Sequence, residues 1–130
     1  MAVQYVTKQD KRKSGNQLWY GRAIHPTTVD LDTLAERIQR NCSMTKGDVL
    51  AVLTEMVSVM RDELQNSNKV KINGLGTFSV GLRTIGTERE EDFNAVDNIK
   101  AFVVNFLAEG KVQNGKVVRT FTEGIKAVKA

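Results

Sequence analysis

The chain has 130 residues, of which 41% are hydrophobic and 26% charged, as expected for one ordinary globular domain. No apolar run approaches the roughly 18 residues of a membrane span, the first residues lack the order of a secretory signal, and a single cysteine excludes an internal disulfide framework. The composition therefore predicts a cytoplasmic protein without membrane segments. For the net charge of +4 alone, a solvated surface is the simplest interpretation.

The charge is nevertheless distributed unevenly. Residues 1–26 carry five basic groups against one acid, and residues 111–130 repeat this ratio. Residues 27–83 are balanced, whereas residues 84–110 carry two basic groups against six acids. Two basic ends thus flank a neutral middle and an acidic stretch, a distribution that permits binding to a polyanion through the ends.

The N-terminal segment, residues 1–26, predicts a β-hairpin. Its stretches AVQYVT and LWYGRAI are rich in β-branched and aromatic residues, and the basic loop KQDKRKSGNQ lies between them. Trp19, Tyr20 and Tyr5 are aromatic rings of a kind that stacks on bases, but we expect all three to pack within this hairpin. Pro26 marks the change from extended chain to helix, because it restricts the preceding His25 to extended conformations.

The stretch TVDLDTLAERIQRN has apolar residues at helical spacing and predicts a first helix. Either Thr28 or Asp30 is suited to cap its N-terminus. A short break follows, in which we expect Cys42 to pack between the helices as a small hydrophobic side chain.

A second, longer helix is predicted from about Thr45 to Gln65. It starts with TKGD, which resembles a capping box with Asp48 in the place of the usual glutamate. Its apolar stripe covers about half of the circumference, more than one short helix and a small sheet would cover. We therefore expect a homodimer in which a second copy of the chain buries the stripe. The predicted dimer core is Val49, Leu53, Met56, Val57, Met60 and Leu64.

Two short strands, residues 69–72 and 77–82, are predicted on either side of Asn73-Gly74-Leu75-Gly76. Two glycines in this connection supply positive φ angles or close backbone approach. Phe78 falls on the side of the second strand that is suited to a core. The residues that form the sequence signature of this connection and second strand are Gly74, Gly76, Thr77 and Phe78.

The remainder of the chain is predicted to be rich in strands. Residues 84–98 are polar and acidic and favour a loop or an irregular arm. Residues 99–107 are apolar on both faces, as in a central strand, and Asn114-Gly115 is a strong hairpin signal. The tail RTFTEGIKAVKA is compatible with a short helix, a strand, or one after the other.

From Met44 to Val80 the sequence MTKGDVLAVLTEMVSVMRDELQNSNKVKINGLGTFSV resembles the histone-like HU and integration-host-factor family of bacterial DNA-binding proteins. The shared pattern is a capped long helix, a polar break, a strand, Gly-(Phe/Leu)-Gly-(Thr/Ser)-Phe and a second strand, and TVDLDTLAERIQRN fits the first helix of the family. The added β-structure at both ends resembles a longer HU-related branch. The resemblance implies a single α+β domain of the HU type.

This domain would consist of four parts. They are an N-terminal β-hairpin extension (1–26), a helical core with the GLGTF strands (27–83), an arm or loop (84–98) and a C-terminal β-rich segment with a hairpin (99–130).

The resemblance also implies a function. Proteins of this family bind the minor groove of double-stranded DNA and bend it. Two chains interlock through their helices, and each extends a β-ribbon arm whose apolar wedge, usually proline, inserts at a kink. A bacterial nucleoid location and a double-stranded DNA partner follow as expectations.

The arm region departs from the family pattern. The Arg-Asn-Pro motif is missing, and no proline follows Pro26. Three arginines are expected at the root of the arm, where this chain has Gly81, Arg83 and Gly86. The sequence EREED at residues 88–92 would repel phosphates, so kinking weaker than the family norm is expected.

The candidate phosphate contacts are basic residues of the predicted sheet and of the two basic ends. Such contacts confer affinity and salt dependence without sequence preference. The residues are Lys69, Lys71, Arg83, Lys11, Arg12, Lys13, Lys111, Lys116, Arg119 and Lys126.

No nucleophile–base pair, phosphate-binding glycine loop or dinucleotide fingerprint is present, and neither His25 nor Cys42 has partners at metal-ligand spacing. We therefore expect no catalytic site, metal, cofactor or small-molecule substrate. The alternative to DNA binding is a protein-interaction scaffold that has kept the HU dimer core, and the acidic EREED stretch favours it.

Overall fold

The computed structural model describes residues 1–130 and confirms the mixed α+β class. It contains three helices, a 3-10 turn at Glu90–Asp92 and eight strands. The helices are α1 (Leu31–Gln39), α2 (Lys46–Gln65) and α3 (Ala95–Asn98). The strands are β1 (Ala2–Gln9), β2 (Trp19–Ala23), β3 (Val70–Ile72), β4 (Gly76–Thr84), β5 (Ile99–Ala108), β6 (Gly110–Gln113), β7 (Lys116–Arg119) and β8 (Lys126–Lys129).

Side chains cap both long helices at their N-termini. The carboxylate of Asp30 accepts a hydrogen bond from the Thr33 N–H at 2.9 Å, which makes Asp30, rather than Thr28, the cap of α1. The Thr45 hydroxyl accepts from the Asp48 N–H at 3.2 Å and donates to the Asp48 carboxylate at 2.9 Å. These bonds satisfy N–H groups that have no partner within the first turn of a helix.

Helices α1 and α2 pack against each other through small side chains. Ala35 and Val49 are the only buried hydrophobic residues, at 0% and 5% exposure. The Lys46 ammonium adds an ion pair with Asp32 at 3.0 Å across the junction. Cys42 is exposed, so the expectation that it packs between the helices is wrong. Its turn runs over the surface, outside the contact between the helices.

The central sheet has the order β3-β4-β5, and both pairs are antiparallel. Strands β4 and β5 stay in register from Gly76 opposite Ala108 to Arg83 opposite Ala101, and the register shifts directly after Arg83. Phe78 and Phe106 are also opposite each other, and their ring centroids lie 4.8 Å apart. Because side chains alternate along a strand, this sheet has an apolar face toward α2 and a second face that points away from it.

The two ends of the chain meet in a separate sheet of order β2-β1-β8. Strand β1 pairs antiparallel with β2 and parallel with β8, so the tail that the sequence left open ends in a strand. Strands β6 and β7 form a hairpin around Asn114 and Gly115, which have φ angles of 51° and 77°. Positive φ at both positions suits the type I′ turn that this residue pair favours.

Residues 85–98, between β4 and β5, form a compact loop rather than an extended ribbon. The side chain of Asn98, 8% exposed, closes the loop. Its amide donates to the Ile85 carbonyl at 3.0 Å, and its oxygen accepts from the Asn94 N–H at 3.0 Å. The β-ribbon arm that the resemblance implied is therefore absent from this chain, since the segment folds back on itself.

The apolar side of α2 and the central sheet remains largely open. Met56, Val57 and Val80 are 38%, 56% and 38% exposed. They belong to the lining of an apolar groove of about 490 Å³ between the helix and the sheet. Further apolar grooves of about 600 and 480 Å³ adjoin it at the end of α2 and along its other side. One copy of the chain thus forms a helix–sheet layer without a closed core.

Candidate nucleic-acid interface

The cations predicted on the central sheet lie on its second face. Lys71 is opposite Thr77, so the two side chains share one face of the sheet. Arg83 is six residues after Thr77 on β4 and, because side chains alternate along a strand, it lies on the same face, which points away from α2. Lys69 lines a shallow surface depression together with Lys71 and Thr77. The structure therefore brings Lys69, Lys71 and Arg83 together on one surface, which we call the central basic face. All three are exposed, and none of them forms an ion pair.

Polar groups accompany these cations. The depression has a volume of about 620 Å³, and its lining includes the hydroxyl-bearing Thr77 and Ser79 and the amide-bearing Asn105. Hydroxyl and amide groups donate hydrogen bonds to phosphate oxygens, and lysine supplies the charge. The combination of two lysines with hydroxyl and amide groups is suited to a polyanionic backbone.

Gly81 lies between Ser79 and Arg83 on the same face and keeps the surface flat. A Cβ atom at this position would come within 2.8 Å of the Asn105 amide nitrogen and 3.5 Å of a methyl group of Val103. The resembled family has an arginine side chain at this position. Here the amide of Asn105 occupies the space beside Gly81.

The three predicted cations in the loop between β1 and β2 differ in whether they are paired with an acid. The guanidinium of Arg12 pairs with both carboxylate oxygens of Asp10 at 3.0 Å. These hydrogen bonds lower the pKa of Asp10 and raise the pKa of Arg12. Lys11 and Lys13 are exposed and form no ion pair. The charge of Arg12 is therefore partly neutralised within the loop, whereas the charges of its two neighbours are free.

The C-terminal cations do not form one cluster. Lys111 and Lys116 share one exposed face of the β6–β7 hairpin, since Lys111 is opposite Val118 and Lys116 is opposite Gln113. Arg119 donates from Nη1 to the Ala108 carbonyl at 2.7 Å, which ties the hairpin to the end of β5. Lys126 belongs instead to the sheet of the two chain ends.

The glycines of the GLGTF stretch have the backbone roles that the sequence predicted. Gly74 and Gly76 have φ angles of +85° and +150°. A Cβ atom on Gly76 would collide with the Leu107 carbonyl and lie 2.6 Å from the ring of Phe106. The Gly74 N–H donates to the Glu109 carboxylate, which anchors the turn to the far end of β5. This stretch holds the three strands together, and with them the central basic face.

The residues predicted as a dimer core divide into two groups. Val49 is buried against α1 within one chain. Met56, Val57, Met60 and Leu64 line the apolar groove beside the sheet, and Leu53 is half-buried. The second group is the one that is free to contact another molecule.

Sequence reasoning missed two cations of the N-terminal strands. Lys8 and Arg22 are exposed on the sheet of the chain ends and form no ion pair. Tyr5 is half-buried, whereas Trp19 and Tyr20 are 65% and 49% exposed, so the expectation of packing within the hairpin is wrong for these two. A three-stranded sheet without a helix against it leaves both of its faces open. The pairing of β8 with β1, which reveals this arrangement, has no local sequence signal.

No group of three or more His, Cys, Asp or Glu side chains is arranged to hold a metal ion. None of the helices combines the length and the apolar character needed to cross a membrane.

Comparisons with solved structures support the fold. One similar structure is that of a bacterial protein from Bacteroides vulgatus, which is described as a candidate DNA-binding protein. It has a TM-score of 0.63 and 11% identity, and the match covers 98% of this chain and 48% of that one. This chain therefore spans about half the length of the Bacteroides vulgatus protein. The second is an HU–DNA cocrystal structure from Anabaena, with a TM-score of 0.50 and 18% identity over 73% of this chain and 95% of that one. At these identities the likeness concerns the fold alone.

A comparison with curated proteins gives no match. A family model does match, and it is described as an HU domain fused to wHTH, Ig or glycine-rich motifs. The match runs over residues 1–122, nearly the whole chain. The chain therefore belongs to this HU-HIG family of HU-related proteins.

Proposed function

We propose that this protein is a homodimer that binds the backbone of double-stranded DNA in the bacterial nucleoid, with little sequence preference and at most modest bending. The observation that carries the proposal is the central basic face. Lys69, Lys71 and Arg83 are exposed there without acidic partners, on the side of the sheet opposite the apolar groove. Membership of an HU family and the likeness to an HU protein crystallised with DNA support the same function.

The surface area supports a dimer. The chain exposes 11018 Å², whereas a compact 14.5 kDa monomer exposes about 6,900 Å². Obligate homodimers bury roughly 2,000–5,000 Å² in total, mostly apolar, and the grooves beside α2 offer an apolar surface of this kind. Two chains joined through this side would carry two central basic faces.

The compact loop at residues 85–98 argues for modest bending. A chain without a ribbon arm has no element that reaches around the duplex, and the loop carries Glu88, Glu90, Glu91 and Asp92. Arg89 pairs with Glu91 at 3.4 Å, so the loop remains acidic. The energy for a large deformation of DNA would have to come from contacts that neither the central basic face nor this loop provides.

Binding is tested by fluorescence anisotropy with a labelled 30-base-pair duplex across a salt series. The three cations of the central basic face in each of two protomers contribute about −5.4 to the slope of log K against log salt, hence at least roughly a thousandfold loss of affinity between 50 and 200 mM salt. The double variant Lys69→Glu with Arg83→Glu should bind more weakly and lose most of this contribution to the slope. The matched control is Lys100→Glu, because Lys100 is exposed at the irregular start of β5 and does not line the depression with Lys69 and Lys71.

No binding at 50 mM salt would contradict DNA binding and favour the scaffold alternative. Equal losses in the double variant and in the control would show that the central basic face is not the contact. Energy transfer between the labelled ends of the duplex measures bending, and a sharp bend would contradict that part of the proposal.

The dimer is tested by light scattering. The parent chain should have twice the 14.5 kDa mass of one copy, and Val57→Lys should lower the mass toward that of a monomer because Val57 lies in the apolar groove. Val96→Lys is the control, since Val96 is 89% exposed on the loop. A parent protein of monomer mass would exclude the dimer.

A further inference from the structure

The last strand joins the two ends of the chain into one body. Ala2 is opposite Lys126 and Tyr5 is opposite Lys129 in the parallel pair of β1 and β8. The Ala130 N–H also donates to the Tyr5 carbonyl at 2.9 Å. Residues 1–26 and 126–130 together contain seven basic groups and one acid, and that acid is already paired with Arg12. The sheet of the chain ends is therefore more basic than either end alone.

Most of the cations on its strands share one face. Arg22 is opposite Val6, Lys8 is opposite Tyr20, and Lys126 is opposite Ala2. Positions 2, 6 and 8 of β1 have the same parity, so their partners point to the same side. We call this surface the terminal basic face. Its exposed members are Lys8, Tyr20, Arg22 and Lys126.

The opposite face of the same sheet has a different character. It carries Trp19, and the ring of Tyr5 lies close to Gly21, where a Cβ atom would be 3.7 Å from that ring. Lys129 is the only basic strand residue on this side. A generally solvated basic segment would carry cations on both faces. Their concentration on one face is instead typical of a surface that binds an anion.

The tyrosine of the terminal basic face adds a hydrogen-bond donor. The Asn16 amide donates to the Tyr20 hydroxyl oxygen at 2.6 Å, which positions the phenol and leaves its own proton free to donate. A phosphate oxygen is an acceptor that suits such a donor. From Ala2 to Lys8 the face extends about 20 Å, a length of duplex that presents roughly twelve phosphates.

We propose that the terminal basic face is a second contact with the DNA backbone, distinct from the central basic face. The inference rests on the proposed function, since it assigns a further surface to the same DNA partner. The connection from Ala23 to Leu31 spans at most about 29 Å, less than the roughly 34 Å of one helical turn of DNA. The edge of the terminal sheet at Ala23 therefore lies within one helical turn of DNA of the start of α1.

The test uses the full-length protein and the same 30-base-pair duplex in a salt series. Replacing Lys8, Arg22 and Lys126 with glutamine should make the salt dependence shallower by about 0.9 for each lost contact, or about 2.7 per protomer. Lys126→Gln and Lys129→Gln form a matched pair, because they remove the same charge from opposite faces of the same strand. Only Lys126→Gln should change the slope.

The outcomes separate this inference from the proposed function. If the parent binds and Lys69→Glu with Arg83→Glu makes the slope shallower, an unchanged slope in the triple variant overturns the inference alone. Equal effects of Lys126→Gln and Lys129→Gln also overturn it, because they would indicate a general effect of net charge. A parent that does not bind DNA overturns both.

A measurement on the unaltered protein covers the case in which the triple variant does not fold. Lysine acetylation is followed by mass spectrometry with and without the duplex. DNA should protect Lys8 and Lys126 several-fold relative to Lys129. Equal reactivity of the three lysines in the complex would refute the second contact.

Discussion

Gly81→Arg should strengthen DNA binding, because it returns a cation to a place on the central basic face where the resembled family has one. Gly81 has a φ angle outside the positive region, so a side chain is compatible with its backbone. A new Cβ atom would meet the Asn105 amide nitrogen at 2.8 Å and Val103 at 3.5 Å. The amide is the far end of a flexible side chain and can rotate away, so the variant should fold.

The magnitude follows from counterion release. One additional phosphate contact per protomer steepens the slope of log K against log salt by about 0.9, or about 1.8 for a dimer. The gain in affinity should therefore shrink by roughly tenfold between 50 and 200 mM salt. The variant should also unfold at a slightly lower temperature without DNA. The new guanidinium lies diagonally across from Lys69, and like charges on neighbouring strands repel each other.

The assay is anisotropy with the 30-base-pair duplex, and Gly81→Gln is the control. Glutamine displaces the Asn105 amide in the same way but adds no charge. If the two variants have the same salt slope, position 81 does not face phosphate and the proposed orientation of the sheet on DNA is wrong.

Three further predictions concern the fold that holds this face. Gly76→Ala should lower stability by about 2–5 kcal/mol, because it combines left-handed strain with a collision against the Phe106 ring; Gly86→Ala, which has nothing within 4 Å, should be nearly silent in the same urea titration. A backbone hydrogen bond from the first turn of α1 lowers the pKa of Asp30, so its stabilisation is lost as the pH falls below about 4. The melting temperature of Asp30→Asn should accordingly fall less with acid than that of the parent. Asn98→Ala should cost about 1–3 kcal/mol, because it leaves two backbone groups of the loop unpaired; unchanged amide exchange in residues 85–98 would contradict this role.

The sequence predicted the parts of the fold that depend on local signals. Asp30 was one of two caps predicted for α1 and Thr45 was the cap predicted for α2, and the side chains of both bond to groups three residues away. Asn114-Gly115 likewise marked the turn between β6 and β7. Each signal acts within a few residues, so it can be recognised without tertiary structure.

Long-range pairing could not be predicted in this way. Strand β8 is short and pairs parallel with β1 across nearly the whole chain, and nothing in the sequence of either strand specifies that partner. The exposure of Trp19 and the position of Lys8 depend on the same pairing. The neutralisation of Arg12 by Asp10 required the conformation of the loop, which the composition of the basic stretch does not reveal.

The two faces of the central sheet suggest how the chain can bind DNA without arms. One face and α2 present apolar grooves to a second copy, and the other face presents Lys69, Lys71 and Arg83. Arg83 lies at the end where the acidic loop begins, so repulsion there should shift the duplex toward the lysines at the other end of β4. A duplex held in this way lacks contacts beyond the sheet, where the family uses its ribbon arms. The terminal basic face would supply contacts of that kind from the two chain ends, where the basic charge of this chain is concentrated, rather than from residues 85–98.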